Sequence, residues 1–90
     1  MKLEDALFNW LQIRVVADAR PDDQAALDTL EFFAQILTED HGLTGFTIIK
    51  TDETMIHVKY EKDGRSKLQL YPREPGEQLL TDIESNPKYN

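Results

Sequence analysis

Residues 55–71, MIHVKYEKDGRSKLQLY, constrain the fold more than any other stretch of this chain. Ile56, Val58 and Tyr60 alternate with His57, Lys59 and Glu61; beyond Lys62, Asp63 and Gly64, the residues Leu68 and Leu70 alternate with Lys67, Gln69 and Tyr71. A period of two in both arms predicts an antiparallel hairpin with one buried and one wet face. A two-residue Asp-Gly turn would set Tyr60 opposite Lys67 and Lys59 opposite Leu68, mixing the faces. A three-residue loop with Gly64 as a left-handed bulge instead pairs Glu61 with Arg65, Lys59 with Lys67, Val58 with Leu68 and Ile56 with Leu70. Placing the two lysines side by side costs roughly a few tenths of a kcal/mol. Exposing aliphatic side chains costs about 1.5–3 kcal/mol each, so the longer loop is the expected one.

Residues 46–50, FTIIK, supply a third strand. Pairing Lys50 with Thr54 sets Ile48 on Ile56 and Phe46 on Val58, and aligns Ile49, Met55 and Tyr71 on the opposite face. An apolar row rimmed by polar side chains is typical of a modest interface. The candidate partner-binding residues are therefore Ile49, Met55, His57, Lys59, Lys67, Gln69 and Tyr71.

Before the strands, residues 2–19 and 21–40 have helical periodicity, each with an apolar arc of roughly 220°, wider than a surface helix needs. Such helices are expected to touch more than one neighbour. Arg14 falls within the first arc, where Asp18, four residues on, is its expected partner. Pro21 suits a first helical position, with Asp22 and Asp23 complementing the helix dipole. Gly42 suits a left-handed cap after His41, and Leu43 can fold back on the last turn. A short helix over 75–84, anchored by Leu79, Leu80 and Ile83 and weakened by Gly76, completes the order α-α-β-β-β-α. The fold class is thus α+β, a three-stranded antiparallel meander with helices packed on one face. Residues 1–84 form a single domain, and 85–90 a C-terminal tail that Tyr89 could pin.

Ninety residues without cysteine exclude a disulfide framework and a thiolate nucleophile. Apolar runs no longer than about three residues exclude a membrane span, and a cytoplasmic location is the expectation. The net charge of -7 is uneven. Residues 1–43 carry three basic and nine acidic side chains, residues 44–73 six and four, and residues 74–90 one and four. The strands are the only region that is not acidic.

No pattern demands a particular chemistry. His41 and His57 fall on different elements, so converging metal ligands are not expected. Ser66 and Ser85 lack a glycine-flanked elbow, and no phosphate-binding glycine loop occurs. No catalytic, cofactor or metal residues are assigned. The expected role is a small acidic regulatory or protein-interaction module, self-associating as a homodimer through the outer sheet face.

Nucleic-acid binding by the basic sheet face is the alternative. The succession of helix, three-strand meander and helix is similar to that of double-stranded-RNA-binding domains. This chain departs from them where the last helix begins, with Glu74 and Glu77 in place of phosphate-binding lysines. Its negative charge also repels a polyanion.

Overall fold

The computed structural model describes residues 1–85 as α1 (Leu3–Ala19), α2 (Gln24–Gln35), a π-helical turn (Ile36–Asp40), β1 (Leu43–Thr51), β2 (Met55–Lys62), β3 (Arg65–Pro72) and α3 (Arg73–Ser85). The order is the expected α-α-β-β-β-α, with an antiparallel sheet ordered β1-β2-β3 and helices packed against one face. Of the tail expected at 85–90, Ser85 instead closes α3. Residues 86–90, with the proposed anchor Tyr89, lie outside the described residues.

The wide apolar arc of α1 is buried from several directions because this helix lies between α2 and α3 and also on the sheet. Ala6, Leu7, Leu11 and Val16 are sealed from solvent, and Trp10 meets Phe46 edge-on with ring centroids 5.2 Å apart. Arg14 is exposed and bonds Asp18 at 3.2 Å, so its guanidinium lies outside the core.

Pro21 and Asp22 form a turn rather than opening the second helix. Asp23 is the cap, accepting the Ala26 N–H at 3.1 Å and bonding Arg20 at 3.4 Å, so α2 begins at Gln24. The helix expected to run on to residue 40 gives way to a π-helical turn over Ile36–Asp40, just after an Ile36 N–H still shared between the Phe32 and Phe33 carbonyls. One extra residue in the turn re-aims the side chains beyond it. Leu37 enters the core while Phe32 remains 56% exposed. Gly42 adopts φ 69° and Leu43 is buried, as the capping pattern predicts. His41 keeps a buried Nε2 without a hydrogen-bond partner among the described residues.

Gly76 contributes more than a weak first turn. A Cβ there would stand 2.9 Å from Ile56 Cδ1, so its missing side chain lets α3 cross close over β2. Leu79 and Leu80 pack beside the buried Ile83, joining α3 to α1 and α2.

Candidate interaction surface

The candidate surface is decided by the hairpin, where the structure overturns the predicted register. β2 and β3 are joined by a two-residue turn, with Lys62 opposite Arg65, Tyr60 opposite Lys67, Lys59 opposite Leu68, Val58 opposite Gln69 and Ile56 opposite Tyr71. Asp63 and Gly64 both take positive φ, 54° and 74°. This is the left-handed pair whose twist matches the flanking strands. Relative to the three-residue loop, β3 slips by one residue, and a one-residue slip exchanges its faces.

Tyr71 consequently points inward at 8% exposure, its ring 5.4 Å from that of Phe8 and its hydroxyl donating to the Glu4 carbonyl at 3.2 Å. Burial pushes its phenol up to about 12, reinforced by the nearby Glu4 carboxylate. Lys67 and Gln69 share its face and so leave the surface assigned to them. Leu68 and Leu70, expected in the core, turn outward at 54% and 39% exposure.

The first hairpin departs differently. Ile48 pairs with Val58 and Phe46 with Tyr60, two residues from the expected partners, so both still face the helices. Ile49 is the extra residue of a bulge and stands 54% exposed. His57 and Lys59 lie on the outer face as predicted, and Met55 is half-buried opposite Pro72. Among the described residues, the outer face therefore gathers Leu68, Leu70 and Ile49 around His57, Lys59 and Lys50. Of the predicted set, Ile49, Met55, His57 and Lys59 remain; Lys67, Gln69 and Tyr71 do not.

A signal for this arrangement stands in the sequence. Asp-Gly between alternating arms is the strongest short-range mark of a two-residue hairpin. It prevails because β3 lies at the sheet margin, where helices cover only the Tyr71 end. Matching aliphatic residues toward an uncovered face brings no burial.

One edge of the surface is fixed by the β1–β2 turn. Asp52 accepts N–H bonds from Thr54 at 3.0 Å and Met55 at 2.7 Å, and His57 Nε2 bonds its Oδ2 at 2.8 Å. The Arg73 guanidinium donates to the Asp52 carbonyl at 3.2 Å while also pairing with Glu77, tying the turn to α3. The His57 bond, followed by the two backbone N–H groups, holds the Asp52 carboxyl well below its ordinary 3.8. A carboxyl held low in the folded state adds stability above its unfolded value and loses it as pH falls toward the folded one. Asp52→Asn is expected to lower the neutral-pH thermal midpoint and flatten its decline below about pH 4. Unchanged acid unfolding profiles in the variant would refute this.

A separate cleft of about 760 Å³ opens where the α1–α2 turn meets α3, walled by Ile13, Val16, Leu79 and Ile83. Arg20 and Asp23 at its lining bond each other, and Asp23 also caps α2, so both have structural duties. Among the described residues, no three His, Asp or Glu side chains are grouped to hold a metal ion, and no helix is long and apolar enough to cross a membrane. Comparison with protein families, curated proteins and solved structures finds no match.

Proposed function

We propose that the protein is a small acidic interaction module of the cytoplasm, and that it associates with a second copy of itself through the exposed part of its sheet, around β3. The supporting observation is the outward placement of Leu68 and Leu70, with Ile49 across the same face. Apolar side chains grouped on an exposed face mark an association site more often than scattered ones do. The same region is the least acidic part of a chain with net charge -7, so contact there keeps the acidic helices of two copies apart. Nucleic-acid binding has lost its stacking group, because Tyr71 is buried.

Sedimentation equilibrium from about 10 μM to 1 mM, near weak-interface affinities, tests the proposal. The wild type is expected to associate reversibly, and Leu68→Lys to remain monomeric with an unchanged circular dichroism spectrum. A wild type that stays monomeric across the range removes self-association as the function.

A further inference from the structure

We infer that two copies join edge to edge, β3 against β3 in antiparallel register about a two-fold axis at Leu68, making one continuous six-stranded sheet. This geometry rests on the self-association proposed above and specifies how it occurs.

The backbone supplies the first reason. Arg73 donates its N–H to the Thr54 carbonyl at 2.8 Å, continuing the register that pairs Arg65 with Lys62. Bonded and non-bonded pairs alternate in an antiparallel ladder. The odd-numbered residues of β3 therefore bond to β2, and Ser66, Leu68 and Leu70 direct their N–H and C=O groups to the free edge. The Leu70 carbonyl accepts from the Gln69 side chain at 3.3 Å, consistent with its turning away from β2. The opposite margin is less suitable, because β1 is interrupted by register shifts at Leu43/Gly45 and Ile48/Lys50, whereas β3 pairs without a bulge.

The side chains select the register. Centring on Leu68 sets it against Leu68 of the second copy, Ser66 against Leu70, Lys67 against Gln69 and Arg65 against Tyr71. No like charges are opposed, and each outward N–H meets a carbonyl. Centring on Lys67 opposes two lysines; centring on Gln69 sets Ser66 against Pro72, which has no N–H to give. On the outer face, Leu68 and Leu70 of both copies merge into one apolar strip. Face-to-face stacking would instead bury Lys59, Lys50 and His57 against a second copy of the same basic surface.

The chain has no cysteine, so single-cysteine spin labels report without interference. In the edge-paired dimer, Cα atoms at Ser66→Cys stand about 14 Å apart, from a four-residue offset and one strand spacing. Those at Ile49→Cys, five strand spacings across and about three residues apart along the strands, stand roughly 26 Å apart. Ser66→Pro removes only an outward N–H; it is expected to retain the fold and weaken association at least about tenfold. A dimer whose Ile49 labels lie within about 15 Å, a separation that edge pairing cannot give, overturns edge pairing while leaving self-association standing. So does a Ser66→Pro variant that dimerises like the wild type. No dipolar distance at either site in a monomeric protein overturns both.

Discussion

Replacing Tyr71 by alanine is expected to destabilise the protein by about 3 kcal/mol, whereas Leu68→Ala should change stability by less than about 1 kcal/mol when measured in the monomer. Tyr71 combines a packed ring, a phenol bond to a helix carbonyl and near-complete burial; Leu68 has half its surface in water. Removing the ring leaves a cavity between β3 and α1. Urea unfolding should show the difference as a displaced midpoint with little change in slope. The three-residue loop requires the reverse ranking, with Leu68 as the costly site. The pair thus tests the hairpin register without reference to any partner.

The second large effect is expected at Leu11. Leu11→Ala should cost about 4 kcal/mol, while Leu27→Ala should cost no more than about 1 kcal/mol. Leu11 is fully buried in the main core, and α3 approaches so closely that a Cβ on Gly76 would stand 3.7 Å from Leu11 Cδ2. A site enclosed by α1, α3 and the sheet has little freedom to collapse around a void, which places the loss toward the upper part of the usual range. Against a total stability of about 5–15 kcal/mol, such a loss should lower the thermal midpoint by more than about 15 °C. Equal losses at the two leucines would mean that α2 is buried as deeply as α1. The two helices have similar apolar arcs in the sequence, but only α1 has neighbours on every apolar side.

The same contrast separates what the chain states locally from what it leaves open. Alternation across residues 55–71, the Asp23 cap, the Gly42 turn and the Asp63-Gly64 turn are short-range signals. The alternation of β2 and the Gly42 turn emerge as read, the two faces of β3 are exchanged, and the structure favours the Asp-Gly signal over the longer loop. The π-helical turn at Ile36–Asp40 is different, because no local signal in the sequence marks where the helix changes its pitch. Gly76 resembles a helix weakness until β2 is seen passing beneath it.

The composition of the candidate surface lay furthest from local reach. Ile49, His57 and Lys59 emerge outward from the alternation of β1 and β2, while the side on which Leu68, Leu70 and Tyr71 fall depends on the extent of helix cover over β3. By itself, the sequence determined the kinds and order of the elements, since periodicity, capping and turn chemistry act over a few neighbouring residues. Tertiary structure decided which of the competing local signals in the hairpin prevailed, and so which face of β3 meets the core. Two registers one residue apart satisfy local rules almost equally, and burial against α1 favours the one that takes in Tyr71.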